Sequence, residues 1–266
     1  MEKIMKVLIT GIASGIGQAT ANKFLENNHI VYGIDVQTIE SKENLYTYKV
    51  DITDETSLIN IKQELLNNNV TFDIIINVAG IHKMASLIEE DYSTLKRLID
   101  INLLGTMLVN KTFHSLLKKD GRIIIVTSEV APLDPMPFNG LYNVSKTALD
   151  SYSQALRQEL NLIGQKVITI RPGAIKTPLA NNSLEDTKRL QEQTILYKKQ
   201  SHKFYNLVSK FMGIPIEPIK IGKLIYKAGI SKNPKLIYQK NRNLGLMLLN
   251  ILPKRFQCFI IKGLLK

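Results

Sequence analysis

The sequence of 266 residues has a single cysteine, Cys258, and no apolar run long enough to cross a bilayer. One cysteine cannot form a disulfide within the chain, which favours a reducing compartment. The N-terminus runs directly into an apolar segment without the regions of a signal peptide, so we expect a cytoplasmic protein. Repeats, low-complexity tracts, interdomain linkers and metal-ligand clusters are also lacking. We therefore expect one domain over residues 1–266, without a metal.

Acidic residues are scarce in the last third of the chain. Residues 186–266 contain 17 Lys and Arg but only 3 Asp and Glu, whereas residues 1–185 contain 18 and 20. A basic region of this kind can meet an anionic membrane surface or an acidic partner, or it can be an ordinary Lys-rich surface. Nucleic acid is not expected as a partner, because no recognised binding module accompanies the charge. Peripheral membrane contact through this basic third is kept as a hypothesis.

Short β-branched runs alternate with longer amphipathic segments. Seven runs are typical of buried strands: Val7–Thr10, Ile30–Ile34, Tyr46–Val50, Ile74–Asn77, Ile123–Thr127, Val167–Arg171 and Lys235–Tyr238. Five segments between them have helical periodicity: Ile16–Asn27, Glu55–Asn68, Tyr92–Leu117, Tyr142–Leu162 and Ile219–Ala228. The alternation predicts an α/β fold, a doubly wound Rossmann-type parallel sheet of about seven strands with helices on both faces. Ligands bind beyond the carboxyl ends of such strands.

Two segments depart from this alternation. Residues 178–216 are too long for an ordinary connection after the sixth strand, and Thr187–Phe211 is helical and basic, so we predict a helical flap over the substrate. Residues 243–266 form an apolar, basic C-terminal extension that Pro253 interrupts. This extension can pack on the core, close an interface or lie in a membrane surface. Core or interface packing is the favoured interpretation.

A glycine-rich turn follows the first strand and opens the first helix. Gly11, Ser14, Gly15, Ile16 and Gly17 make up its G-x-x-x-G-x-G pattern. Glycines let a pyrophosphate approach the backbone, and the helix N-terminus offers free N–H groups and a positive dipole end. A glycine-rich turn alone is weak evidence, but its position at the first strand–helix junction indicates dinucleotide binding.

Acidic and small residues follow the next strands. Asp35 ends the second strand, where a carboxylate can bind the ribose hydroxyls and repel a 2′-phosphate. No basic residue stands at Val36 or Ser14 to pair with that phosphate, so NAD is favoured over NADP. After the third strand, Asp51 and Ile52 are expected near the adenine, and Asp54 is a candidate helix cap. After the fourth strand, the cofactor is expected to approach three residues: Asn77, Ala79 and Gly80.

Tyr142 and Lys146 lie one helical turn apart, so their side chains share a face. A free tyrosine has a pKa of roughly 10 and exchanges protons poorly near neutrality. A nearby cation stabilises the phenolate, so we expect Lys146 to lower the pKa of Tyr142. Ser128, at the end of the fifth strand, is placed to complete a proton-transfer site.

These motifs resemble the short-chain dehydrogenase/reductase family over about residues 5–240 in the expected order. The family's glycine motif corresponds to Gly11, Gly15 and Gly17. Its catalytic tetrad corresponds to Asn102, Ser128, Tyr142 and Lys146. Its segment that holds the nicotinamide carboxamide corresponds to Pro172, Gly173, Ile175 and Thr177.

The resemblance implies reversible hydride transfer between the nicotinamide and an alcohol or ketone. Ser128 would then hold the substrate oxygen, Tyr142 would move its proton, and Lys146 would bind the nicotinamide ribose. Asn102 would hold a water that links Lys146 to solvent. Relatives pair through the helices corresponding to Tyr92–Leu117 and Tyr142–Leu162, so a homodimer or homotetramer is expected.

Two residues depart from the family's pattern. Val78 replaces the second Asn of the usual Asn-Asn-Ala-Gly, which weakens a structural hydrogen bond and leaves the chemistry unaffected. Glu129 follows the catalytic serine, where a carboxylate is unusual. It points out to solvent or lines the substrate mouth, and the sequence leaves both alternatives open.

The expected substrate is a small lipophilic alcohol or ketone, steroid-, retinoid- or lipid-like. Apolar residues surround the predicted site: Pro132, Leu133, Pro135, Met136, Pro137 and Phe138 in the loop, and Leu179, Leu184 and Leu190 in the flap. A 3-oxoacyl-carrier-protein-type reductase is an alternative, in which the basic third would meet an acidic carrier; Asp35 counts against it because such reductases usually prefer NADPH. A non-catalytic dinucleotide-binding protein is disfavoured because the whole tetrad is present.

Overall fold

The computed structural model of the chain describes residues 3–211 and 214–266. Seven strands lie within this part: β1 Lys6–Thr10, β2 Ile30–Asp35, β3 Leu45–Lys49, β4 Phe72–Asn77, β5 Leu117–Val126, β6 Lys166–Pro172 and β7 Ile237–Lys240. All neighbouring strands are parallel, in the order β3-β2-β1-β4-β5-β6-β7. The predicted doubly wound Rossmann-type sheet is therefore confirmed. The strand order reverses between β1 and β4, which is where ligands bind in such sheets.

Ten α-helices accompany the strands in the described part of the chain. Their bounds are α1 Gly15–Leu25, α2 Glu55–Asn67, α3 Tyr92–Ile99, α4 Thr106–Phe113, α5 Gly140–Asn161, α6 Pro178–Gln193, α7 Lys198–Phe211, α8 Pro218–Ile230, α9 Leu244–Ile251 and α10 Lys254–Leu265. Asp54 caps α2 by accepting a hydrogen bond from the Ser57 N–H at 3.1 Å, so its expected capping role is confirmed.

Each face of the sheet has its own apolar core. On β1, Leu8 points to the side covered by α2, α4 and α5, while Val7 and Ile9 point to the side covered by α1 and α8. Successive side chains of a strand face opposite ways, so a strand buried on both faces needs a continuous apolar run. The run Val7–Ile9 is fully buried. Both faces are thereby closed to further helices, and the site lies at the carboxyl edge.

The long helix predicted over Tyr92–Leu117 is wrong in two respects. A π-helical turn, Asp100–Gly105, separates α3 from α4, and the helical segment ends before Leu117, which begins β5. β5 starts six residues before the predicted Ile123 because Phe72 pairs with Leu117 and Ile74 with Arg122, so the pairing passes through a bulge. Periodicity alone does not reveal this π turn, because six residues are too few for a change of period to be recognised in the apolar pattern.

The predicted flap is helical, as expected, and consists of α6 and α7. Thr177 caps α6 by accepting a hydrogen bond from the Ala180 N–H. The side chains of Phe204 and Val208 on α7 are buried with Leu190 of α6 in a small separate cluster. Residues 212 and 213 of the predicted flap, and the side chain of Leu184, lie outside the described residues.

The prediction that the C-terminal extension packs on the core is wrong for α9. None of the described residues of α9 is buried, and Leu244, Leu248 and Ile251 are between 67% and 76% exposed. The physical reason is that both sheet faces are already covered, so α9 is held by polar contacts instead. In α10, Leu265 is buried in the cluster beneath the flap. Among the described helices, none combines the length and apolar character needed to cross a membrane.

Candidate active site

The glycine-rich turn between β1 and α1 forms one wall of the candidate site. Gly11 and Gly15 have φ angles of +72° and +55°, which L residues rarely adopt. A Cβ on Gly17 would lie 1.9 Å from the carbonyl oxygen of Gly11, so the turn itself requires glycine there. Within the described chain, Ser14 makes no side-chain cap to α1. The first-turn N–H groups of α1 are therefore suited to bind phosphate.

A cavity of about 380 Å³ lies beyond the carboxyl ends of β1, β2 and β4. Ten of the residues predicted to bind the cofactor line it: Gly11, Ser14, Gly15, Ile16, Asp35, Asp51, Ile52, Ala79, Gly80 and Thr177. Gly80 is at the inner end, where a Cβ would lie 3.1 Å from Asn102 Oδ1 and 3.4 Å from Lys146 Nζ. A flat group can approach this backbone closely, so the residues present fit a dinucleotide.

Asp35 lies at the outer end of the cavity. Its carboxylate accepts hydrogen bonds from the backbone N–H groups of Ala13, at 2.9 Å, and Gln37, at 3.0 Å. The first contact joins the end of β2 to the glycine-rich turn. Each carboxylate oxygen keeps a second lone pair, so Asp35 can still accept from a ribose hydroxyl. Nearby, Asp51 accepts two hydrogen bonds from Thr53, which fixes the β3–α2 turn.

Ser128, Tyr142 and Lys146 meet at the carboxyl end of β5. Ser128 follows that strand by two residues and is hydrogen bonded to the Tyr142 phenol. The Lys146 Nζ atom lies 5.8 Å from the centre of the Tyr142 ring and donates to the Val126 carbonyl at 3.4 Å. The structure thus brings these three predicted residues together.

Burial dominates the protonation of this pair. It raises the pKa of Tyr142 to about 12; the Ser128 hydrogen bond lowers that pKa, and the charge of Glu129 raises it. Burial also lowers the pKa of Lys146 to about 8. The expected lowering of the Tyr142 pKa by Lys146 is wrong for this state of the site. The reason is that burial removes the phenolate from water, and this is the largest cause of the shift.

Asn102 lies within the π-helical turn and joins three elements. Its Oδ1 atom accepts from the Ile81 N–H at 2.8 Å, and its Nδ2 group donates to the Ile81 carbonyl at 2.9 Å and to Ser145 Oγ at 3.0 Å. Ser145 precedes Lys146 on α5, so Asn102 sets the spacing between the backbone at Gly80 and the catalytic helix.

The profile of the family described as "short chain dehydrogenase" matches residues 5–188. This match covers the glycine-rich turn and the Ser128, Tyr142 and Lys146 cluster. The chain belongs to the short-chain dehydrogenase family. It is therefore an oxidoreductase that acts on alcohol or carbonyl groups with a nicotinamide cofactor.

Among curated relatives, the NADPH-dependent 1-acyldihydroxyacetone phosphate reductase of Schizosaccharomyces pombe is 35% identical over 225 residues, 80% of this chain and 76% of that protein. The 3-ketodihydrosphingosine reductase of Bacteroides thetaiotaomicron is 27% identical over 230 residues, 86% and 84% of the two chains. A solved Burkholderia cenocepacia short chain dehydrogenase in complex with NADP is similar in fold. Its TM-score is 0.75 at 18% identity, covering 99% of this chain and 98% of that one.

Asn77 is a correction to the predicted cofactor set. Its side chain is buried and donates to Asn110 Oδ1 at 2.8 Å, away from the cavity that Val78, Ala79 and Gly80 line. The partner on α4 decides this, because the hydrogen bond to Asn110 holds the Asn77 side chain in the interior, and the cavity lining begins at the next residue, Val78. In this dehydrogenase Asn77 therefore holds β4 to α4.

Pro172, Gly173 and Ile175 lie outside the cavity lining and shape the approach to Thr177. A Cβ on Gly173 would lie 1.7 Å from the Asn241 carbonyl oxygen, so this glycine permits close contact with the end of β7. Ile175 is buried and forms a bridge with Ile216. These three residues therefore position Thr177, which lines the cavity.

Glu129 is partly buried, and its carboxylate is turned toward the C-terminal extension. Its carboxylate accepts the Asn243 N–H at 2.5 Å, directly before α9. Burial raises the pKa of Glu129, while the Asn243 hydrogen bond and the Arg242 charge lower it. The residue after the catalytic serine therefore holds the C-terminal extension.

Two ionisable residues of the cavity lining, His82 and Arg97, were missed by sequence reasoning. The ring centres of His82 and Tyr142 are 4.3 Å apart, and the His82 ring nitrogens bond Asn139 at 3.0 Å and Ser183 at 3.1 Å. The position of His82, two residues after Gly80, was the available signal. Nothing in the sequence marks Arg97, because its helix reaches the cavity only through the tertiary fold.

His82 also belongs to the contacts that hold the flap. Its partner Ser183 lies on α6, and the adjacent Lys83 forms an ion pair of 2.7 Å with Asp186 on the same helix. Both side chains of this pair are largely buried. Contacts between α6 and the segment after Gly80 therefore hold the flap against His82, whose ring lies next to Tyr142.

We expect His82 to make folding sensitive to acid. Burial lowers its pKa from 6.5 to about 4, so the unfolded chain binds one more proton than the folded chain between these values. Stability is therefore full above pH 6.5 and falls as the pH drops toward 4, by up to about 3 kcal/mol. The measurement is the free energy of unfolding by urea across this range.

His82→Gln keeps one donor and one acceptor but does not titrate, so its pH dependence should be shallower. His202→Gln, which changes an exposed histidine, is the matched control and should behave like the wild type. An identical acid dependence in wild type and His82→Gln would remove His82 as the cause.

Proposed function

We propose that this dehydrogenase transfers hydride reversibly between a nicotinamide and a lipophilic alcohol or ketone. The observation that carries the proposal is the cluster of Ser128, Tyr142 and Lys146 next to Gly80, which lines the cavity at the carboxyl ends of β1, β2 and β4. The bound nicotinamide supplies the hydride acceptor or donor. The chain's own residues hold the substrate oxygen and move its proton.

Tyr142 is the residue that exchanges the proton with the substrate oxygen. With a pKa of about 12 its phenol is protonated near neutrality, so it is ready to donate during reduction. Ser128 binds the phenol and can hydrogen bond the same substrate oxygen, which fixes the geometry of the transfer. Lys146 has a pKa of about 8 and can therefore lose and regain a proton near neutrality. Asn102 positions α5 through Ser145, which keeps Lys146 beside Gly80.

Apolar side chains around the flap support a lipophilic substrate. Leu179 lines the cavity, and Phe138 of the loop, Met84 and two flap residues, Leu190 and Phe204, form a separate buried apolar cluster. The named substrates of the Schizosaccharomyces pombe and Bacteroides thetaiotaomicron relatives are both ketones attached to a lipid chain. A ketone or secondary alcohol on a long apolar chain therefore suits this site better than a sugar.

We infer a preference for NAD over NADP from the outer end of the cavity. The carboxylate of Asp35 lines the wall where the ribose hydroxyls bind, and Val36 and Gln37 bring no positive charge beside it. A 2′-phosphate would lie against this carboxylate. The Schizosaccharomyces pombe relative is named as NADPH-dependent, so the preference has to be measured directly.

We also infer a homo-oligomer that forms through α3, α4 and α5. Apolar side chains on this side are exposed, with Leu104 and Val144 at 50% and 51% and Met107 at 38%. Exposed apolar residues on neighbouring helices are typical of a surface that a second copy covers.

The free, exposed Cys258 is consistent with a cytoplasmic location, which fractionation of cells expressing the chain would test.

Tyr142→Phe should abolish most turnover and leave cofactor binding intact. The change removes the proton donor but keeps the ring, so we expect kcat to fall by about 10²- to 10⁴-fold. Turnover is measured by absorbance of the reduced nicotinamide, with a panel of long-chain ketones and secondary alcohols. Tyr152→Phe, on the same helix but with its hydroxyl bonded to Asn110 and not to Ser128, is the matched control. Retained turnover in Tyr142→Phe would exclude Tyr142 from the proton transfer.

Asp35→Asn should erode the preference for NAD. The amide can still accept the Ala13 N–H that holds the turn but loses the negative charge. We expect the ratio of kcat/KM for NADH and NADPH to fall by at least about tenfold, since a hydrogen bond to a charged group is worth about 1.5–3 kcal/mol. Asp54→Asn, at the cap of α2, is the control. An unchanged ratio would refute the role of Asp35.

Leu104→Glu together with Val144→Glu should dissociate the oligomer. Two buried carboxylates in the interface would cost more than the contact gains, so static light scattering should report a smaller mass. Ile59→Glu with Leu66→Glu, on the exposed side of α2, is the control. A wild type of monomer mass, or a variant of unchanged mass, would contradict an interface on these helices.

A further inference from the structure

Helices α9 and α10 present an apolar surface that nothing in the described chain covers. We call it the tail surface, and its apolar residues are Leu244, Leu248, Ile251, Phe256, Phe259 and Leu264. Each is at least 51% exposed. The first three are spaced at i, i+4 and i+7, so they lie on one face of α9. The Phe256 and Phe259 rings stack at 6.2 Å on α10. Continuous exposure of this kind marks an interaction site.

Positive charge surrounds the tail surface. No Asp or Glu follows Glu217 in the sequence. α10 has three exposed basic residues, of which Lys254 pairs with Asp134; the other two, Arg255 and Lys262, and the C-terminal Lys266 have no acidic partner among the described ion pairs. Their spacing places them next to Phe259 on the same side of the helix. Apolar and basic side chains therefore share one face, and an acidic counterpart within this part of the chain is lacking.

Polar contacts fix the orientation of α9 and α10. The Asn243 N–H donates to Glu129, and Asn250 Oδ1 accepts the Asp134 N–H, both at 2.5 Å. Asp134 also forms an ion pair with Lys254 and accepts from Gln257 at 3.1 Å. These polar residues face the protein. The leucines and phenylalanines, on the other side of the two helices, therefore face outward.

The tail is attached to the loop that follows Ser128 and to the flap. Glu129 and Asp134, which hold the tail, lie in the loop between Ser128 and the helix of Tyr142. At the other end of the tail, Leu265 packs with Phe138 of the same loop and with Phe204 of the flap. The surface therefore borders both elements that enclose the substrate.

We propose that the tail surface docks this dehydrogenase on an anionic lipid bilayer. A bilayer surface offers negative headgroups to the basic residues and an apolar layer, 5–10 Å deep, to the leucines and phenylalanines. Helices of eight and twelve residues are too short to span it but long enough to lie in it. A second copy is a poorer match, because a two-fold contact would bring the like charges of both copies together.

The docked orientation turns the substrate entrance toward the bilayer. A lipophilic ketone or alcohol can then pass from the lipid to Tyr142 between the loop and the flap without crossing water. This part of the proposal rests on the proposed function, whereas docking itself does not.

Docking is tested with the full chain and vesicles, without any turnover. Wild type should sediment with vesicles of phosphatidylcholine and phosphatidylserine at least about tenfold more strongly than with phosphatidylcholine alone, and less at high salt. Two sets of variants should each lose at least about tenfold: Leu244→Ser, Leu248→Ser and Ile251→Ser, and separately Arg255→Gln, Lys262→Gln and Lys266→Gln.

Matched controls lie away from the tail. They are Ile59→Ser, Leu66→Ser and Ile88→Ser for the apolar set, and Lys42→Gln, Lys49→Gln and Lys119→Gln for the basic set, all exposed. These controls should bind within about twofold of wild type. Circular dichroism and binding of the reduced nicotinamide, by fluorescence, report whether every variant is folded.

Several results would overturn docking. The first two are no sedimentation of the wild type, and equal sedimentation of the wild type and the tail variants. A change of mass in the tail variants by light scattering would assign the surface to a second copy instead. Capture of an acidic acyl carrier protein in place of vesicles would assign it to that partner.

Delivery is tested by turnover. The tail variants should lose activity on a long-chain ketone embedded in vesicles but keep it on a water-soluble ketone. Equal activity of wild type and tail variants on the embedded ketone would overturn delivery. If no folded protein turned over either ketone, the proposed function would be refuted. The sedimentation result would still apply, because it does not depend on turnover.

Discussion

The paired hydrogen bonds between Asn102 and the backbone of Ile81 are the contact on which the rest of the site depends. They hold the segment after β4 against the π-helical turn, and the third bond of Asn102, to Ser145, adds α5. Because Gly80 lies between β4 and Ile81, the Asn102 and Lys146 side chains close in on its Cα. One side chain therefore sets the width of the cavity and the position of Lys146. A shift of the Asn102 side chain would therefore both widen the cavity at Gly80 and displace the Lys146 ammonium group.

The flap and the tail are both held by polar contacts to residues beside the catalytic ones. The flap is tied through His82 and Lys83, which follow Gly80, and the tail through Glu129, which follows Ser128. Buried polar contacts are specific in geometry, and they are costly when broken. They place two covering elements over the site without requiring a large apolar interface, and they leave the apolar residues of α9 free to face outward.

Residues next to one another in sequence, or repeated with a regular period, were predicted well. The seven strands, the glycine-rich turn, the cap at Asp54 and the face shared by Tyr142 and Lys146 all depend on local rules of strand alternation and helix geometry. The π-helical turn at Asn102 was not visible as such, because it alters the period by one residue. Asn77 was misplaced because its facing is decided by a neighbour on α4, and Arg97 was missed because no local pattern marks it.

The protonation of the site shows most clearly what the sequence determines and what the tertiary structure decides. The sequence by itself determined which ionisable groups are present and their order along the chain, and hence the family and its chemistry. Only the tertiary structure decided how far each group is removed from water. Burial raises the pKa of Tyr142 to about 12 and lowers that of Lys146 to about 8. The tertiary structure also joins Glu129 to the tail through the Asn243 N–H. Burial is a sum over contacts from distant parts of the chain, and no short stretch of sequence contains that sum.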